Sequence, residues 1–114
     1  MTQTHEAKLS KLEVLADLER TISQRANDDQ ASSYTAQLLS QGPEKCAKKF
    51  GEEAVEVVLA SLDRDEKHLI AEAADVLYHL LVLLKSRNIP LSAVMEELDR
   101  RTSQSGLQEK ASRK

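Results

Sequence analysis

The sequence predicts an all-α domain, and three observations carry that prediction. Hydrophobic residues make up 40 % of the 114 residues, yet only three are aromatic, Tyr34, Phe50 and Tyr78. A core of Leu, Val, Ile and Ala suits packed helices, whereas sheets favour aromatic and β-branched side chains. Apolar residues also recur at three- and four-residue spacing, with turn-forming residues between the periodic stretches. The length is that of one domain, expected over residues 1–102, with a disordered polar tail over 103–114.

Leu9, Leu12, Leu15, Leu18 and Ile22 share one face of a first amphipathic helix. Arg25 to Ser33, rich in Asn, Asp, Ser and Gln, lacks an apolar period and reads as a loop. Ser32 or Ser33 then caps a short helix through Tyr34, Leu38 and Leu39 that Gly42 stops. Pro43 suits the first turn of the next helix, where its missing N–H would have no partner, and this helix runs to about Leu62. Gly51 within it costs roughly 1 kcal/mol relative to Ala and marks a place for close approach to the backbone. Asp63 to Asp65 form a turn. A long helix follows from Glu66 to Arg87, ended by Asn88 and Pro90. Ser92 is the expected N-cap of the last helix, which carries Val94, Met95 and Leu98 and fades after Arg101.

Sixteen Lys and Arg against nineteen Asp and Glu leave a net charge of −3, without the basic footprint of a nucleic-acid binder. Cys46, the single cysteine, has no internal disulfide partner, and Met1 to Lys8 carries no apolar stretch after a basic one. Both facts suit a reducing cytoplasm. Val76 to Leu84 is too short to span a bilayer and contains His79, so no membrane partner is expected.

Plotted at helical pitch, Lys45, Lys48, Lys49, Glu52 and Glu56 fall within roughly a third of the circumference, with Glu53 at its edge. Cys46, Phe50, Ala54, Val57 and Val58 lie opposite and are expected to pack. Glu52 and Glu56, like charges four apart, destabilise an isolated helix. Val55 and Leu59 flank them, which predicts partial burial of the acids. In the following helix Ile70, Ala74, Leu77, Leu81 and Leu84 form the expected packing face, yet Val76, Val82 and Leu83 make the other side apolar too. Glu72 and Asp75 therefore sit in a helix apolar nearly all round, and buried carboxylates need partners. With the helices antiparallel across the turn, the pairs Glu53/Glu56 and Glu72/Asp75 lie roughly nine residues either side of it and come level. Hard divalent cations offset such repulsion best, Mg²⁺ first because it keeps waters and binds phosphates, with Mn²⁺ as a substitute. Pairing with Lys45, Lys48 and Lys49 is the structural alternative.

The run Glu52-Glu53-Ala-Val-Glu56, fifteen residues, then Glu72-Ala-Ala-Asp75, resembles the paired acidic motif of the all-α nucleotide pyrophosphohydrolases, which include MazG-type and dimeric dUTPase enzymes. Ser33-Tyr34-Thr35-Ala36 to Leu39, Gly42, Lys45, Lys49, Gly51 and the run Ala73 to Leu81 are similar, within that superfamily, to the phosphoribosyl-ATP pyrophosphohydrolase family of histidine biosynthesis. The resemblance covers about Leu12 to Thr102. It implies hydrolysis of phosphoribosyl-ATP to phosphoribosyl-AMP and pyrophosphate with Mg²⁺, in a homodimer or higher assembly, and a single step because no fused cyclohydrolase domain is present. It further implies Glu53, Glu56, Glu72 and Asp75 as metal ligands, with Glu52 as a further ligand or the group orienting the attacking water. Lys45, Lys48 and Lys49 would meet phosphate, and Tyr34 and Thr35 the nucleotide. A general nucleotide house-cleaning pyrophosphatase of the same fold and a non-catalytic helical module are the alternatives.

His79 reads first as a packed, hydrogen-bonded residue and Cys46 as a small buried hydrophobe. Met95 and Leu98 read as a dimer or core contact. The Glu66 to Arg87 helix is too uniformly apolar for the other helices of one short chain to cover, so a second copy is expected to complete the bundle of four to five helices.

Overall fold

The computed structural model describes Lys11 and residues 13–103, which form five helices. They are α1 (Glu13–Arg25), α2 (Tyr34–Ser40), α3 (Pro43–Ala60), α4 (Glu66–Ser86) and α5 (Leu91–Thr102). No strand occurs among the described residues, and the fold is all-α as expected. The expected tail after 103 and the positions of Leu9 and Leu12 lie outside the described residues.

Local chemistry sets the boundaries. Ser33 is the cap of α2, its Oγ accepting from the Ala36 N–H at 3.1 Å, while the Ser32 hydroxyl donates back to the Asp29 carbonyl in the loop. Gly42 turns the chain at φ 91°, ψ 169°, and Pro43 opens α3. Asp65 caps α4 by accepting from the His68 N–H at 3.2 Å. Two expectations need correction. Pro90, not Ser92, is the N-cap of α5, and the Leu91 N–H donates to Glu19 Oε2 of α1 at 2.7 Å, so a distant carboxylate does what a local serine was expected to do. Around Gly51 a Cβ would meet open space, so nothing among the described residues uses its missing side chain.

The α3–α4 hairpin is the spine of the molecule. Ile22, Leu38, Cys46, Leu81, Val82 and Leu91 form the core, which gathers α1, α2, the start of α3, the end of α4 and the start of α5. Val82 is 1 % exposed at its centre. Cys46 is buried as expected; its Sγ–H donates to the Leu38 carbonyl at 3.4 Å, and burial pushes the thiol pKa up.

The core thus occupies one end of the hairpin, and none of α1, α2 or α5 covers the apolar residues at the other. Val55, Val58, Leu59, Leu62, Ile70 and Leu77 are exposed there, Leu62 by 74 % and Ile70 by 61 %. This corrects the expected packing faces. Leu81 and Leu84 turn inward, but Ile70, Ala74 and Leu77 do not; the half-buried apolar residues on that part of α4 are Leu69, Ala73 and Val76. On α3, Cys46, Phe50, Ala54 and Val57 are at least half-buried, whereas Val58 is exposed. No described helix is long and apolar enough to cross a membrane.

Candidate active site and metal centre

Glu53 of α3 and Glu72 and Asp75 of α4 converge across the hairpin, each bringing one carboxylate oxygen within 4.8 Å of the others. The first two face inward, with side chains 16 % and 19 % exposed, and Asp75 stands at the open edge. Oxygens bound at about 2.0–2.1 Å around an octahedral ion stand roughly 2.9–4.2 Å apart. The trio therefore fits a hard divalent cation after a small inward movement, and it leaves coordination positions for water and phosphate. Its all-oxygen donor set suits such an ion, since softer metals prefer nitrogen or sulfur.

Glu52 and Glu56 are exposed and lie outside the trio. The expected burial of this stripe is absent among the described residues, because Val55 and Leu59 beside it are themselves exposed. Lys45 and Lys48 are exposed as well. Lys49 comes closest to the acids, its Nζ 3.4 Å from Glu53 Oε2, and the Tyr34 phenol, followed by the Glu53 carboxylate, holds its pKa above the ordinary lysine value. Ion pairing and a metal-ready cluster thus coexist at Glu53.

Beside the acids lies an aromatic group that fastens α2 to α4. Tyr34 stacks on Tyr78 with ring centroids 6.4 Å apart, and His79 meets both rings edge-on at 6.2 and 4.9 Å. The Thr35 hydroxyl is buried and shares a hydrogen bond with the Tyr78 hydroxyl at 2.5 Å. Burial first, against smaller opposing effects of Glu53 and Asp75, holds the His79 pKa below the ordinary histidine value, so its ring is neutral at pH 7. Tyr34 keeps half its surface exposed.

Sequence reasoning passed over one residue that touches the site. His68 places Nε2 3.3 Å from Glu72 Oε2 and Nδ1 2.7 Å from Asp63 Oδ2. The signal was available in its four-residue spacing to Glu72, which stacks the two side chains on one helix face. A cavity of about 340 Å³ lies away from the acids, lined by residues of α1, the end of α4 and the segment leading into α5, including Glu19, Lys85 and Leu91. The convergent carboxylates sit on the open hairpin instead.

A helical hairpin that converges carboxylates from two helices, with a lysine and an exposed tyrosine alongside, defines an all-α protein with a ligand set that could hold a divalent metal. Residues 15–102 match the family described as Phosphoribosyl-ATP pyrophosphohydrolase. The chain belongs to that family. It is 60 % identical over 100 residues to "Phosphoribosyl-ATP pyrophosphatase 1" of Rhodopseudomonas palustris, covering 88 % of this chain and 94 % of that one. It is 56 % identical over 102 residues to "Phosphoribosyl-ATP pyrophosphatase" of Dinoroseobacter shibae, covering 90 % of this chain and all of that one.

Proposed function

We propose that the protein hydrolyses phosphoribosyl-ATP to phosphoribosyl-AMP and pyrophosphate, the second step of histidine biosynthesis. The convergence of Glu53, Glu72 and Asp75 in a chain of this family carries the proposal. Mg²⁺, or Mn²⁺ in its place, is the ion for these ligands, and it supplies charge neutralisation on the phosphates and activation of water. Glu53, Glu72 and Asp75 hold it, and the family motif adds Glu56 as a fourth ligand and Glu52 as a ligand or a group orienting the attacking water.

Lys49, already beside Glu53, is the best placed of the three lysines to stabilise charge on the leaving pyrophosphate, with Lys45 and Lys48 further along the same stripe. The exposed Tyr34 ring offers the nucleotide a stacking surface. Thr35, committed to Tyr78, serves by holding that ring's helix in place. A second copy of the chain covers the bare end of the hairpin and so encloses the site.

Replacing Glu72→Gln or Asp75→Asn should lower Mg²⁺-dependent pyrophosphate release from phosphoribosyl-ATP by about 100-fold or more, the scale of losing a strong transition-state charge contact. The helical circular-dichroism signal should be retained. Native turnover of dUTP and the common dNTPs should be far below that of phosphoribosyl-ATP. Equal turnover across that panel would favour a house-cleaning enzyme, and full activity in both variants would remove the acids from the mechanism.

A further inference from the structure

We propose that His68 is a positioning residue for the metal site, acting through Glu72; the inference rests on the reading of Glu72 as a ligand. Three linked contacts lead to that carboxylate. Asp63 is fixed first, its Oδ1 accepting from the Asp65 N–H at 2.9 Å. Its Oδ2 lies 2.7 Å from His68 Nδ1, and the His68 backbone N–H is itself held by Asp65. The imidazole is rigid, so fixing Nδ1 aims Nε2, which stands 3.3 Å from Glu72 Oε2. The turn that joins α3 to α4 is thereby tied to the orientation of a carboxylate one helical turn beyond His68.

Groups that hold a ligating carboxylate in place commonly contribute 10- to 100-fold to metal affinity. His68 is half-exposed, which places its effect near the lower end, at about tenfold. The rival role is that of a countercharge that the ion must displace. Solvent screens such an exposed charge, so orientation should outweigh repulsion of the ion. The two roles predict opposite signs: loss of a positioning group weakens metal binding, and loss of a competing charge tightens it.

Mn²⁺ uptake measured by calorimetry on the full chain decides between them, with no substrate present. His68→Ala should weaken binding about tenfold. His68→Gln, whose side-chain amide N–H reaches toward the same oxygen, should recover most of the loss. Asp63→Ala should weaken binding by itself but add little to His68→Ala, because both act along one chain of contacts. Unchanged or tighter binding in His68→Ala overturns the inference, as does additivity of the two alanine changes or a glutamine variant no better than alanine. Absence of uptake by the native protein would instead remove the metal reading of the cluster, and this inference with it.

Discussion

His79 is pressed against the Tyr34 and Tyr78 rings, and that burial gives it a pH signature. Its folded pKa lies below that of the unfolded imidazole, about 6.5, so the unfolded chain binds the proton more readily. Stability is therefore complete above pH ~6.5 and declines as pH falls through the window beneath it. His68 works the other way: its pKa is raised, first by the hydrogen bond to Asp63, so its contribution is present at low pH and lost as pH rises through the raised value. Comparing the native protein with His79→Gln in urea unfolding at pH 7.5 and 5.5 isolates the buried group, because His68 is common to both. The native advantage should shrink on acidification, and a constant or widening gap would show that His79 does not titrate as a buried base. At this scale the sequence was partly legible. Rise along a helix brings Glu53 level with Glu72 and Asp75, but level does not fix the direction around the axis, and Glu56 is exposed and lies outside the cluster. His68 escaped notice because its significance depends on where the Asp63 turn puts a carboxylate.

Helix ends were legible where one side chain decides them and illegible where a distant one does. Ser33, Pro43 and Asp65 act on their own next turn, and the sequence placed caps or breaks at or beside each of them. The start of α5 depends on Glu19, 72 residues away, which no local pattern announces. Faces followed the same rule. Periodicity finds Ile70, Ala74, Leu77, Leu81 and Leu84 on one side of α4, but it cannot say that the neighbouring helices reach only the last two. Gly42 is the strictest joint. Its φ of 91° with ψ of 169° lies in a region that is essentially glycine's own, and a Cβ there would meet no neighbour, so the cost of adding one is conformational. Gly42→Ala should lower stability by about 2 kcal/mol in urea titrations. The joint sets how α2, and with it Tyr34, approaches α3, so the variant should also show a raised KM. A change under about 0.5 kcal/mol would mean that the turn relaxes at no cost.

The whole molecule is lopsided: a core at one end of the α3–α4 hairpin, and at the other the acidic trio flanked by Val55, Val58, Leu59, Leu62, Ile70 and Leu77 facing outward. Scattered apolar residues on a surface need no explanation, but six on two adjacent helices and the turn between them, beside a charged cluster, do. A second copy presenting the same face is the simplest cover, since a two-fold axis makes such a patch its own complement. Ile70→Asp tests this sharply. In a monomer the site is 61 % exposed, and an aspartate there should cost no more than about 0.5 kcal/mol. Across a two-fold interface the same change would bury unpaired negative charge from both copies beside an already acidic site. Light scattering at micromolar concentration should therefore find the native protein dimeric and Ile70→Asp monomeric. The monomer should also lose pyrophosphate release, because the hairpin that carries Glu53, Glu72 and Asp75 would have nothing packed on its bare end. A native monomer, or an Ile70→Asp protein that stays dimeric and active, would mean that these six side chains face water in the working enzyme.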